Sequence, residues 1–430
     1  MPYVRRTAAL AAALALMATA TPAEAAVSRG VVIPAFYDVP ASLPAANGAI
    51  VRSQPMTIAW WLPGILSSLP AKATRVMYKT TDSTGAPAGV TGAYLEPKTA
   101  WSGPGPRPLV VLSPGTQGQG DQCAPSMGLE RPITVTGETF TIGYENIAMN
   151  KLLSKGVAVM VTDYVGLGAT DRLHTYVNRI DQGHAALDAA RAARSVPGAT
   201  VTAQSKVGLY GYSQGGGSTA SAAELQPTYA PDVQLAGAAA GAPPADLKET
   251  LKGIDGSAIA GAAGWSLNGF VQAYPQLRPY VDAETNAAGK AALKDLSTMC
   301  TGDIIFKYPF AKSSSWTVSG KPMSAVIDAN PAVGAVLDQQ RLGRLRPTAP
   351  VRVSTGVVDD IVPHAQARQL AVDWCARGAN VTYVPVPGLN LGNKTVLNHV
   401  TPMIKDLDPA TTWLMDRFAA KPIATNCGTV

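Results

Sequence analysis

The pentapeptide Gly211-Tyr212-Ser213-Gln214-Gly215 sets a hydroxyl between two glycines at a spacing that chemistry can use. The pattern G-x-S-x-G marks a nucleophile elbow, a tight strand-to-helix turn on which the serine is held in a strained conformation with its oxygen exposed. Side chains two positions to either side would collide with neighbouring backbone, which accounts for Gly211 and Gly215. Short runs of this kind also arise by chance in a chain with 41 glycines, so the flanks decide. Lys206 to Tyr210 reads as a buried strand leading in, and the small residues Gly216 to Ala223 read as the start of a closely packed helix.

A serine hydroxyl is a weak nucleophile until a base takes its proton. On this kind of elbow the chain order is Ser, then Asp or Glu, then His. Only two of the four histidines, His364 and His399, follow Ser213. His364 comes ahead of the next expected helix and strand, whereas His399 follows the last expected strand, where the base belongs. His174 and His184 precede the nucleophile and read as structural or solvent-facing. The acid is expected in Gly356-Val357-Val358-Asp359-Asp360-Ile361-Val362-Pro363, the loop after the strand Val351 to Thr355. One of Asp359 and Asp360 would orient the imidazole and stabilise its charged form; the other reads as a solvated turn residue or helix cap.

The transition state of acyl transfer carries an oxyanion that preorganised N–H groups must meet. One donor is expected from Gln214, the residue after the nucleophile. The other is expected from Ser113-Pro114-Gly115-Thr116-Gln117-Gly118, with Thr116 the first candidate and Gln117 the alternative.

These residues need a scaffold. Short apolar runs at Leu109 to Leu112, Val157 to Thr162, Lys206 to Tyr210, Leu235 to Ala240, Val351 to Thr355 and Val381 to Val386 read as buried strands. Helical spacing at Gln182 to Ser195 and Ala365 to Arg377 falls between them, and Thr411 to Phe418 reads as a closing helix. Arg75 to Thr81 and Val90 to Leu95 read as a strand pair around a polar turn. Alternating strands and helices predict an α/β fold with a mostly parallel sheet covered on both faces. Residues 26–70 show no clear periodicity. Between about Pro243 and Pro347 the alternation stops, and a helical segment with exposed-looking aromatics (Trp265, Phe270, Tyr274, Tyr280) reads as a cap inserted over the sheet. The expected organisation is a leader over 1–25, a first core part over 26–242 carrying the nucleophile, the helical cap over 243–347, and a second core part over 348–430 carrying acid and base.

At this point the sequence resembles the secretory lipase family, the lipase A-like branch of the α/β-hydrolases, from about Ser53 to Cys427. Ser113 to Gly118 and Cys123-Ala124-Pro125-Ser126 resemble its HGTxG and CAPS segments. Asp163-Tyr164-Val165-Gly166-Leu167-Gly168 looks like its D-Y-x-G-L-G segment, and Asp359-Asp360-Ile361-Val362-Pro363 like its acid loop, whose first Asp is the triad member. Trp413 to Phe418 and Cys427 also fit. Pro114 stands where the family usually has His, and Leu389 to Asn398 lengthens the path to His399. The resemblance implies an α/β-hydrolase with an inserted helical cap, the triad Ser213, Asp359 and His399, and hydrolysis of acylglycerols or simple esters. It also implies disulfides Cys123–Cys300 and Cys375–Cys427.

Composition agrees with an exported enzyme. Arg5 and Arg6, the apolar run Thr7 to Ala20 and Ala23-Glu24-Ala25 follow the order of a secretory signal peptide. That run is short of the ~20 apolar residues of a membrane span, and no later stretch supplies one. Without Arg5, Arg6 and Glu24 the formal charge falls from +6 to +5, and the basic residues are scattered rather than clustered as a nucleic-acid footprint requires. Four cysteines in an exported chain favour two disulfides, and spacing alone leaves all three connectivities open. No closely spaced Cys or His set suggests a metal, and the chemistry needs no cofactor. The expected partner is an ester substrate, small or presented at a lipid interface. The competing readings are an acyltransferase or peptidase on the same triad, and a non-catalytic secreted binding protein on a hydrolase fold.

Overall fold

The computed structural model describes residues 25–430 except 59–60, 63–64, 67–68, 131–132 and 137–138; the expected leader lies, all but Ala25, outside the described residues. Six fully or largely buried apolar runs form strands because each has a covered surface on both sides. The main sheet has nine strands: β1 (Ile50–Met56), β2 (Ala71–Thr81), β3 (Pro87–Pro97), β4 (Leu109–Ser113), β5 (Ala158–Thr162), β6 (Val207–Tyr212), β7 (Leu235–Gly241), β8 (Val351–Gly356) and β9 (Val381–Val386). Their order is β9-β8-β7-β6-β4-β5-β3-β2-β1. Strands β4 to β9 run parallel, and β1 to β3 add antiparallel to the β5 side.

The order reverses between β4 and β6. Chain leaving β4 crosses to β5 on one side, and β6 returns on the other. In open α/β sheets such a switch point opens a crevice beyond the carboxyl ends of the strands. Ser113 pairs with Gly211 at that edge, which brings the loop after β4 beside the turn after β6.

The main helices are α1 (Asn146–Ser154), α2 (Arg179–Ala193), α3 (Gln214–Tyr229), then α4 (Leu247–Ile254), α5 (Ala262–Ala273), α6 (Arg278–Glu284), α7 (Ala287–Leu296), α8 (Thr301–Lys307), α9 (Met323–Asp328) and α10 (Pro331–Gln340), and finally α11 (His364–Ala376) and α12 (Leu397–Phe418). α2 and α3 pack together on one face, their alanines allowing close approach. α1 and α12 cover the other face through Leu152, Leu153, Leu414 and Phe418. Helices α4 to α10 all fall between β7 and β8 and build a separate apolar cluster around Trp265, Phe270 and Leu296. No helix among the described residues is long and apolar enough to cross a membrane.

Three expectations need correction. The aromatics of the insertion are mostly covered: Trp265 and Phe270 are buried, Tyr274 is half-buried and only Tyr280 is exposed. They form that cluster's core instead of a bare surface. The closing helix begins at Leu397, fourteen residues before Thr411, because Pro402 and Pro409 sit within it without ending it. The unpatterned stretch before residue 70 contains β1, whose exposed Ser53, Gln54 and Pro55 suit an edge strand.

Candidate active site

Ser213 stands between β6 and α3 at φ +59°, ψ −124°. A side chain with φ in that range is strained, and the surroundings must enforce it. They do so through contacts only glycine allows. A Cβ on Gly211 would lie 2.3 Å from the Gly215 carbonyl oxygen, one on Gly215 2.0 Å from that of Ser113, and one on Gly216 2.0 Å from that of Gly241. The Ser213 N–H donates to the Gly241 carbonyl at 2.9 Å, so β7 pins the turn as well.

His399 lies in the first turn of α12 and is buried. Its Nδ1–H donates to Asp359 Oδ2 at 2.6 Å, which leaves Nε2 as the basic atom. Nε2 makes no hydrogen bond among the described residues, to Ser213 or to any other group. Ser213 and His399 line one cavity, and hydrogen bonds of this kind are often long until substrate is bound. The His399 carbonyl accepts from the Tyr212 hydroxyl at 2.8 Å, and the two rings lie 5.2 Å apart. The residue before Ser213 therefore holds the backbone of His399.

The two neighbouring aspartates divide. Asp359 Oδ1 accepts from the N–H groups of Ile361 and Val362 at 3.0 and 2.9 Å, which aims Oδ2 at the imidazole. Asp360 is not a free turn residue: its Oδ2 accepts from Lys394 N–H at 2.6 Å and Asn398 Nδ2 at 3.1 Å. It ties down the long segment ahead of His399, where Val396 holds a left-handed φ of +75°. His364 lies elsewhere, its Nε2 2.9 Å from the Tyr383 hydroxyl.

Gln214 is the first residue of α3, where backbone N–H groups have no partner within the helix. Thr116 lines the same cavity as Gln214; no described residue accepts from its N–H. Both border Ser213 in a narrow apolar cavity of about 70 Å³ that runs between α4, α5 and α10, past Leu251, Ile254, Phe270 and Val336. A second cavity of about 300 Å³ meets Ser213 from the His399 side, lined by Tyr144, Thr301, Ile305 and Met403. Of the two cavities that meet Ser213, Gln117 borders the second and not the first.

Several polar groups around the site escape a reading by motif. Glu145 Oε1 accepts from the Gly115 N–H at 2.7 Å, and burial pushes its carboxyl up to about 7. Tyr164 donates to the Pro114 carbonyl at 2.6 Å. The Tyr176 hydroxyl is 2.8 Å from Thr116 Oγ1, and His174 Nε2 is 3.1 Å from the Gln214 side-chain amide. Neither histidine ahead of Ser213 faces solvent freely: His174 is fully buried, and His184 is half-buried, stacked on Tyr229. Two segments far apart in sequence meet as well. Asp163 accepts from the Ser126 N–H and hydroxyl and from Thr91 Oγ1, which ties the Asp163 to Gly168 segment to Cys123-Ala124-Pro125-Ser126. Disulfides join Cys123 to Cys300 and Cys375 to Cys427.

Comparison with known proteins adds an independent line. A family model described as secretory lipase matches residues 130–426. The chain is 28% identical to a protein of Mycobacterium tuberculosis named as a probable inactive lipase, over 90% of this chain and 82% of that one. It is 28% identical to the secreted triacylglycerol lipase LIP3 of Malassezia restricta, over 90% and 79%. It is 26% identical to lipase A of Moesziomyces aphidis, over 98% and 88%. Among solved structures, Candida antarctica lipase A in its closed state superposes with a TM-score of 0.76 at 22% identity, covering 92% of this chain and 87% of that one. The rice cell wall degrading esterase LipA of Xanthomonas oryzae gives 0.69 at 20%, covering 86% and 97%. At these identities the structural likeness speaks for the fold.

Proposed function

This chain belongs to the secretory lipase family, and from that premise we propose that it is a secreted serine hydrolase cleaving acylglycerols or simple carboxylic esters through Ser213, His399 and Asp359. The observation that carries the reading is the buried 2.6 Å contact from His399 Nδ1 to Asp359, which leaves Nε2 unpartnered on a cavity shared with Ser213. An imidazole oriented from behind with a vacant second nitrogen is what a general base requires.

The ester binds with its acyl chain in the narrow apolar cavity under the inserted helices, which we read as a cap, and its alcohol part in the wider one. His399 Nε2 takes the Ser213 proton as Oγ bonds to the carbonyl carbon, and the carbonyl π pair moves to oxygen. The N–H groups of Gln214 and Thr116 receive that oxyanion; the first also benefits from the helix N-terminus. Collapse of the intermediate expels the alcohol, protonated by His399. Water then repeats the sequence on the acyl-enzyme and releases the acid. The alcohol side is assigned by His399, since the leaving oxygen must reach its proton.

A fluorophosphonate probe should label Ser213 in the folded protein, and p-nitrophenyl esters from acetate to palmitate should be hydrolysed. Ser213→Ala should lower kcat by roughly 10⁵–10⁶-fold. Because one relative carries a name denoting inactivity, the labelling matters: folded protein with no adduct and no turnover would identify a binding protein. Transfer to a competing alcohol faster than to water would identify an acyltransferase. Export belongs to the same reading, resting on the leader-like residues 1–25 and two disulfides. N-terminal sequencing of protein from the medium should begin within a few residues of Ala26.

A further inference from the structure

Three rings pack together beside Gln214 and the loop from Pro114 to Thr116. His174 stacks on Tyr164 with ring centres 5.9 Å apart and 15° between planes; Tyr176 meets the same imidazole edge-on, also at 5.9 Å. All three are buried. Each sends a polar atom to a different part of the site. Tyr164 donates to the carbonyl of Pro114, the Tyr176 hydroxyl pairs with Thr116 Oγ1, and His174 Nε2 faces the Gln214 amide. The orientation of His174 is determined. Its Nδ1 lies 2.9 Å from the Val165 carbonyl, which can only accept, so Nδ1 carries the proton and Nε2 accepts from Gln214 Nε2.

We propose that His174 is a positioning residue for ester hydrolysis: its neutral imidazole, packed against Tyr164 and Tyr176, holds Gln214 on one side of the oxyanion and the Pro114 to Thr116 loop on the other at one fixed separation. The inference rests on the reading of Ser213 as nucleophile with Gln214 and Thr116 as its N–H donors. Core filling alone does not account for the arrangement. An apolar side chain would fill the same space without burying polar atoms that must then be satisfied. Here three buried polar side chains converge on the two segments whose relative position an oxyanion hole must hold to a fraction of an ångström. Burial pushes the His174 imidazole down to about 4, which keeps it neutral while His399 works. The rings also reach the inserted helices. Tyr176 meets Trp265 edge-on at 5.9 Å, and Gln119 Nε2 bridges the carbonyls of His174 and Trp265.

The test separates binding of the transition state from binding of the ester. A trifluoromethyl ketone matching the acyl chain adds to Ser213: the Oγ–carbon bond forms, the proton passes to His399 and the carbonyl oxygen becomes an oxyanion. Three variants are compared with the parent protein: His174→Leu, which removes the acceptor; His174→Gln, which keeps one; and Tyr176→Phe, which removes only the hydroxyl. For His174→Leu, kcat should fall roughly 10- to 100-fold, less than loss of an oxyanion donor itself, with KM nearly unchanged. Its inhibition constant for the ketone should weaken by a similar factor. His174→Gln should recover part of both, and Tyr176→Phe should show the same pattern at a smaller size. Folded variants that keep the ketone affinity, or lose it in step with KM, overturn the proposal. If His174→Leu fails to fold, the other two carry the same comparison. Failure of the parent protein to form a fluorophosphonate adduct overturns the nucleophile assignment instead, and this inference with it.

Discussion

Asp359 and Asp360 are adjacent and chemically identical, yet their surroundings give them separate tasks. Asp359 has one oxygen held by two backbone N–H groups and the other on the His399 ring; Asp360 accepts from Lys394 and Asn398 and so gathers the segment ahead of His399. Replacement of the first by asparagine removes the charge that holds the imidazole tautomer and stabilises the imidazolium. Asp359→Asn should therefore lower kcat by on the order of 10⁴ with little change in KM. Asp360→Asn should cost much less, since an amide oxygen still accepts from Lys394. It should instead speed amide hydrogen exchange over 389–396. Equal kinetic losses in the two variants would count against the division of labour. Spacing cannot make this distinction, because both residues occupy the same loop and only backbone direction separates them. The elbow is different: a Cβ on its glycines would come within 2.0–2.3 Å of backbone oxygens, and such a demand leaves a mark in composition. His174 and Glu145 left no comparable mark, since their partners are backbone or amide groups that any loop offers.

At the level of elements, the loop after β4 is shaped from behind by the residue that precedes α1. Glu145 sits among Tyr144, Tyr164 and Tyr210 with the Gly115 N–H as its hydrogen-bond donor, and its carboxyl is pushed up to about 7 by burial. A carboxyl that titrates near 7 when folded and near 4.5 when unfolded binds more protons in the folded state between those values. Its contribution to stability is therefore complete below about pH 4.5 and is lost as pH rises through 7. Glu145→Gln keeps an acceptor for Gly115 and cannot ionise. The melting temperature of this variant should fall less than that of the parent protein between pH 6 and 8, measured by calorimetry at matched ionic strength. Identical pH slopes would mean that the carboxyl is not protonated in the fold. Elements also explain what patterning hid. The parallel strands were legible because burial on both faces makes them continuous apolar runs. Two prolines interrupt the sequence of α12 and hide its first half, although Pro402 packs against Gly356 and so joins the helix to β8. The buried pair Arg352–Asp406, at 2.5 Å, fixes that same helix to β8 and with it the height of His399 over the sheet. The edge strand β1 was missed because an edge need not be apolar on either face.

Across the whole molecule the two disulfides close loops of very different kinds. Cys123–Cys300 joins the segment following the loop after β4 to the start of α8 in the insertion, 177 residues away. Around it the chains also pair directly: Gln119 N–H donates to the Met299 carbonyl and Thr301 N–H to that of Gln117. Cys375–Cys427, 52 residues apart, ties α11 to the C-terminal tail. There Asn426 exchanges side-chain hydrogen bonds with the backbone of Tyr383 at 2.8 and 2.7 Å, and Thr425 donates to the Val381 carbonyl. The tail thus covers the open edge of β9, a common safeguard against pairing with another chain. By chain entropy alone the first crosslink stabilises by about 5 kcal/mol and the second by about 4, so loss of either should lower the melting temperature by comparable amounts. Their effects on turnover should diverge. In the double variant Cys123→Ser, Cys300→Ser only hydrogen bonds hold the insertion to the Gln117 to Gly120 strip, one residue beyond Thr116, and kcat on a short ester should fall several-fold at a temperature where the protein is still folded. In Cys375→Ser, Cys427→Ser the loosened segment is remote from Ser213, so kcat should hold and light scattering on heating should rise as the β9 edge is bared. Equal loss of turnover in the two double variants would show that the insertion takes its position from packing of the Trp265 cluster, with the crosslink adding only stability.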